Sequence, residues 1–131
     1  RPFYDGRIVC VTGGAGFIGG HLVDALLGLG AQVRVLDDLS NSTLEHLAEL
    51  IELEPERVRF VRGSILDDDA LADAFRDAAT VFHLAAVGSV QRSVDDPQRT
   101  FSVNATGTLR VLQAAKKTTA LSGAGVERVI L

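Results

Sequence analysis

Residues 11–30 read VTGGAGFIGGHLVDALLGLG. Five glycines, at 13, 14, 16, 19 and 20, stand between an apolar run and a leucine-rich one. Glycine gives up more backbone entropy on folding than any other residue and offers no side chain to pack. Its concentration here calls for a compensating task. Upstream, RIVCVT at 7–12 is β-branched and continuously apolar, the pattern of a strand covered on both faces. Downstream, Ile18, Leu22, Ala25, Leu26 and Leu29 recur at helical spacing, and Gly30 stands where helices commonly stop. The glycines therefore occupy a strand-to-helix turn.

Within that turn Gly13, Gly16 and Gly19 form G-x-x-G-x-x-G. Gly13 and Gly16 allow a tight turn and let a bulky diphosphate touch the main chain, and Gly19 lets the helix pack close to a sheet. The helix start supplies unpaired N–H donors and a partial positive charge. Glycine spacing alone is weak, but the following strand, QVRVLD at 32–37, ends on an acid, 18 residues past Gly19. A carboxylate there takes both hydroxyls of an adenosine ribose and repels a 2′-phosphate, as does Asp38 beside it. The pattern points to NAD rather than NADP. The competing reading is that the glycines serve packing and Asp37 caps the next turn.

The rest of the chain alternates in the same way. Ser42 and Glu45 form a capping box that opens a helix to about Leu53, with Pro55 beyond it. VRFV at 58–61 is a third strand, and residues 68–77 form a short helix with Leu71, Ala74 and Phe75 on one side. TVFHLA at 80–85 is a fourth strand. Asp96-Pro97 opens a long helix whose stripe of Phe101, Ala105, Thr108, Leu109, Leu112 and Ala115 lasts to about Lys117. A looser stretch, TTALSGAG, precedes a fifth strand, VERVIL at 126–131. Strands alternating with helices imply an α/β fold with a parallel sheet.

Composition bounds the function. The 131 residues suffice for one domain with a real core, and no linker marks a second. A net charge of −4 gives no bulk electrostatic reason to bind nucleic acid. No apolar run approaches the ~20 residues of a membrane span, and no signal-peptide pattern opens the chain, which begins at Arg1. One cysteine, Cys10, excludes an internal disulfide and cannot alone build a zinc site. These features favour the cytoplasm.

TGGAGFIG at 12–19, LDDLS at 36–40, VFHLAA at 81–86, RSVDDP at 92–97 and VNATGTLRVLQAA at 103–115 together resemble the extended short-chain dehydrogenase/reductase family. Within it the chain is similar to the NAD-dependent nucleotide-sugar epimerases, dehydratases and decarboxylases, from about residue 7 to 131. The resemblance implies a Rossmann-type, doubly wound parallel sheet with five strands in the order 3-2-1-4-5. It implies that Gly13, Gly16, Phe17, Ile18 and Gly19 hold the diphosphate, and that Asp37, Asp38, Leu39, Ser40 and Asn41 surround the ribose. Many relatives carry Asn at the place of Asp38. Ser64 and Ile65 fall where relatives have Asp-Ile or Asp-Leu beside adenine, so Ser64 can hydrogen-bond there but brings no charge. Leu84, Ala85 and Ala86 would end the fourth strand where the dinucleotide crosses the sheet. Asn104 would steady the nicotinamide side, or is a plain hydrogen-bonded helix residue. Ser89 and Arg92 fall near the sugar-nucleotide approach, and Arg92 reads equally as a surface cation. His83 reads as a satisfied core histidine and Cys10 as a small buried hydrophobe.

Relatives react through a Tyr-x-x-x-Lys pair aided by Ser or Thr, the lysine lowering the tyrosine pKa. Here Tyr4 is the sole tyrosine and Lys116 and Lys117 the sole lysines, so no such pair exists and no catalytic residue or metal ligand is assigned. The resemblance places the pair beyond the strand entered at Val126. The expectation is an N-terminal, NAD-binding portion of a longer chain, inactive alone, whose substrate-binding region follows, whose substrate is a nucleotide-sugar and whose parent enzyme is a homodimer through the long helix. Alternatives are a non-catalytic dinucleotide-binding regulator, an NADP-dependent carbonyl reductase of the same family, which Asp37 opposes, and a methyltransferase, which the full motif set does not fit.

Overall fold

The computed structural model describes residues 4–13, 17–39, 45–84, 98, 107–122, 126 and 128–130. Five strands form one sheet: β1 Ile8–Thr12, β2 Gln32–Asp37, β3 Val58–Arg62, β4 Thr80–His83 and β5 Arg128–Ile130. Its order is β3-β2-β1-β4-β5, and every pairing is parallel. This is the expected Rossmann-type α/β sheet. Among the described residues four helices lie between the strands: α1 Phe17–Gly28, α2 Glu45–Leu53, α3 Asp68–Phe75 and α4 Gly107–Ser122.

Alternation along the strands sends side chains to two separate cores. Val9 and Val11 of β1, Val33 and Val35 of β2 and Val58 of β3 meet Val23 and Leu26 of α1 and Leu47 of α2. Cys10, Leu36, Val61 and Val81 face the other way, against Leu71, Ala74 and Phe75 of α3 and Val111 and Ala115 of α4. Two apolar faces explain why β1 reads as unbroken hydrophobic sequence rather than as an alternation. Each fully buried aliphatic side chain contributes roughly 1.5–3 kcal/mol of transfer free energy.

Element ends follow local chemistry. Gly30 sits at φ +88. Its N–H bonds the Leu27 carbonyl and the Ala31 N–H bonds the Leu26 carbonyl, each at 3.1 Å. This is a Schellman closure, which needs the left-handed region that glycine reaches without strain. Asp67 caps α3, its carboxylate accepting from the N–H groups of Asp69 and Ala70.

Several boundaries differ from the sequence expectation. α3 stops at Phe75 rather than 77, because Arg76 is extended at ψ 123 and Asp77 turns to φ +61. The Arg34 guanidinium, donating to the carbonyls of Ala74 and Arg76, closes that end. α4 runs past Lys117 to Ser122, since no breaker intervenes before Gly123. β4 ends at His83, and β5 spans Arg128–Ile130, with Val126 outside it. Gln98 is helical, whereas Ser42 of the capping box and Asp96-Pro97 lie outside the described residues.

Candidate functional site

Because all strands run the same way, their carboxyl ends share one edge of the sheet. From β1 the chain winds out to β2 and β3 on one side and to β4 and β5 on the other. In sheets of this kind the crevice outside the carboxyl ends of the strands at such a reversal, here β1 and β4, is the usual ligand position.

Gly13, the first residue past β1, has φ +77, and its N–H bonds the Leu36 carbonyl at 2.8 Å. The chain thus turns away from β2 through a conformation that penalises any side chain. Gly14 and Gly16 lie outside the described residues, and Phe17 opens α1. The first turn of α1 holds no acidic side chain, so no resident carboxylate competes for its N–H donors. Gly19 and Gly20 are buried. A Cβ on Gly20 would stand 3.2 Å from the His46 ring of α2, which fixes how closely the two helices approach. Ile18, by contrast, leaves its side chain 71% exposed at the mouth of the crevice.

One strand over, Asp37 ends β2 half-buried. Its Oδ1 accepts from the Leu39 N–H at 2.8 Å, and Leu39 is held at φ +62. That bond fixes the direction of the carboxylate. Asp38 and Leu39 are half-buried beside it. At the end of β3, Ser64 is half-buried, with its Oγ accepting from the Leu66 N–H at 3.0 Å. Ile65 is 4% exposed and packs into the α3-side core. Leu84 follows β4, and its N–H is shared between the Thr12 carbonyl at 2.9 Å and Thr12 Oγ1 at 3.1 Å. Ser40, Asn41, Ala85, Ala86, Ser89, Arg92 and Asn104 lie outside the described residues.

The structure joins three residues, His83, Thr12 and Thr108, that the sequence reading did not connect. His83, the last residue of β4, pairs in register with Thr12 of β1. Its Nδ1 lies 2.7 Å from Thr12 Oγ1 and its Nε2 lies 3.0 Å from Thr108 Oγ1 of α4. His83 is thus the satisfied core histidine expected, and the hydroxyls of Thr12 and Thr108 are its partners. A histidine inside an apolar strand needs two such groups, and that need was the available signal. Burial pushes the imidazole below its ordinary pKa of 6.5, so at neutral pH it is uncharged. The brace links the glycine turn, β4 and α4 at the point where the crevice opens.

Acid–base and metal chemistry have little to work with here. Cys10 is fully buried, and burial pushes its thiol up to about 12, which excludes a reactive thiolate. Tyr4 packs near Phe82, ring centroids 6.3 Å apart, in the α1-side core. Lys116 and Lys117 are exposed on α4. Among the described residues no group of three His, Cys, Asp or Glu side chains could hold a metal ion. What the edge offers is binding: a bare main-chain turn, a helix start and an oriented carboxylate.

Comparison with known proteins agrees with that geometry. Residues 9–131 match the model of the NAD dependent epimerase/dehydratase family. A UDP-glucose 4-epimerase of Mycolicibacterium smegmatis is 44% identical over 124 residues, covering 92% of this chain and 36% of that protein. Among solved structures, the epimerase Mth375 of Methanothermobacter thermautotrophicus superposes with a TM-score of 0.82 at 42% identity, over 96% of this chain and 34% of that one. A UDP-glucose 4-epimerase of Thermus thermophilus, solved in complex with NAD, gives 0.73 at 40% identity, over 86% and 34%. The chain therefore spans about a third of the length of the relatives it matches. The sheet order and these matches together make the chain a member of the NAD-dependent epimerase/dehydratase family.

Proposed function

We propose that residues 1–131 form the NAD-binding part of a nucleotide-sugar epimerase, dehydratase or decarboxylase. The observation that carries this reading is the pairing of the Gly13 turn, at φ +77, with the oriented Asp37 carboxylate one strand away. The diphosphate rests on the main chain at the turn and on the first N–H groups of α1, at Phe17, Ile18 and Gly19, with Gly16 keeping the approach open. Asp37 receives the two ribose hydroxyls, with Asp38, Leu39, Ser40 and Asn41 around it. Ser64 and the main chain of Ile65 meet the base, Leu84, Ala85 and Ala86 line the crossing, and Asn104 steadies the nicotinamide side.

When bound, NAD accepts a hydride from a sugar carbon, which leaves a keto-sugar. The residues described here bind and orient. Main-chain donors and a half-buried carboxylate fix the dinucleotide across the β1–β4 crevice, and the exposed Ile18 side chain gives the site an apolar edge. A Tyr-x-x-x-Lys pair would supply acid–base chemistry from a region beyond Leu131, which is also where the sugar nucleotide would be read. Coverage of about a third of the relatives supports this division. A UDP-sugar is the substrate class that the relatives favour, since one solved neighbour holds UDP-glucose. Pairing of parent subunits through α4, where Leu109 and Leu112 are 55% and 43% exposed, completes the reading. The location proposed is the cytoplasm; among the described residues no helix is long and apolar enough to cross a membrane.

Titration calorimetry with NAD and NADP tests the cofactor assignment. NAD binds more tightly, because Asp37 and Asp38 repel a 2′-phosphate. Asp37→Ser weakens NAD by roughly 10–100-fold, the value of a charge-assisted bond pair, and narrows the preference. Tighter NADP binding by the unaltered protein contradicts the role given to Asp37.

A further inference from the structure

The sheet order sets the path of a dinucleotide laid along this crevice. With its diphosphate at β1 and its ribose at Asp37 of β2, the purine continues outward over the carboxyl end of β3. That end presents few side chains. The Gly63 N–H is bonded to the Asp37 carbonyl at 3.1 Å. A Cβ at Gly63 would stand 2.7 Å from the Ala70 Cβ, so this position is held to bare main chain. Ile65 points into the core. Arg62, the register partner of Asp37, belongs to the α2-side face shared by Val58 and Phe60. The next carboxylate, Asp67, is turned into α3, where its Oδ1 accepts from Asp69 and Ala70. Among the described residues that follow β3, Ser64 carries a half-buried hydroxyl beside this path.

Its hydroxyl is fixed but not exhausted. Oγ accepts from the Leu66 N–H at 3.0 Å, which leaves one proton and one lone pair. A group with both can accept from a 6-amino substituent or donate to a 6-oxo one, by rotation about one bond. A carboxylate in the same place accepts only, and so rejects the 6-oxo base. We propose that Ser64 makes this site indifferent to the 6-substituent of the purine, so that hypoxanthine and adenine dinucleotides bind alike. The proposal rests on the diphosphate and ribose placement given under Proposed function.

Calorimetry with NAD and with nicotinamide hypoxanthine dinucleotide tests it. For the unaltered protein the two dissociation constants lie within about threefold of each other, and Ser64→Asp shifts their ratio toward NAD by about tenfold or more, as a bond gained or lost at a charged acceptor does. Ser64→Ala weakens both ligands in parallel, and carries the test alone if Ser64→Asp does not fold. Preference of the unaltered protein for NAD by more than about tenfold overturns the proposal, since a hydroxyl reader cannot discriminate so strongly. So does a Ser64→Ala variant that binds both ligands unchanged. Failure of the unaltered protein to bind either dinucleotide removes the diphosphate and ribose placement itself, and the proposal with it.

Discussion

Gly13 and His83 show how single residues set this site. At φ +77 Gly13 occupies a region where an L side chain costs about 1–2 kcal/mol. Gly13→Ala therefore lowers unfolding free energy by about that amount in urea titration and weakens dinucleotide binding further, because a methyl group now stands in the diphosphate path. His83 makes a different prediction. Its folded pKa lies below the ordinary 6.5, so the folded state binds fewer protons than the unfolded chain as pH falls through that value. The stability it confers is complete above pH 6.5 and declines below it, by at most about 1.4 kcal/mol per pH unit until the folded imidazole also protonates. Thermal melts between pH 8 and pH 5 show this decline in the unaltered protein and a flatter profile in His83→Asn.

At the scale of elements, the helix ends carry the geometry. α3 begins where Asp67 caps two N–H groups and ends where Arg34 binds the Ala74 and Arg76 carbonyls. Asp67→Ala lowers stability by about 1 kcal/mol in chemical denaturation, the usual value of a helix cap. The main-chain bond from the residue 67 N–H to the Ser64 carbonyl is kept in that variant, so the loss reports the cap alone. The existence and type of all nine described elements were legible in the sequence, because β-branched runs, helical stripes and glycine stops are local signals. Where α3 ends was not legible, because that end is closed by an arginine 40 residues earlier in the chain. The Thr12–His83–Thr108 brace was hidden for the same reason, its partners standing 71 and 25 residues from His83. Of the candidate site, the positions of Gly13 after β1, Gly19 in the first turn of α1 and Asp37 at the end of β2 were legible. The sequence could not show that the Asp37 carboxylate is held by the Leu39 N–H, or that Ile65 is spent in the core.

For the whole molecule, the central claim is that one parallel sheet, reversing direction between β1 and β4, holds a dinucleotide across its carboxyl edge. The two cores explain why this edge stays fixed: β1, β2 and β3 each send side chains into both, so the turn after β1 and the acid that ends β2 keep their separation. Family membership fits this architecture, and the chain spans about a third of the length of the relatives it matches. The most direct measurement is nuclear magnetic resonance of the 15N-labelled protein titrated with NAD. The amides of Gly13, Ile18, Gly19 and Leu39 shift most and saturate together, while those of β5 and the outer face of α4 stay in place. Shifts centred away from the β1 and β2 carboxyl ends, or none at millimolar NAD, contradict the account.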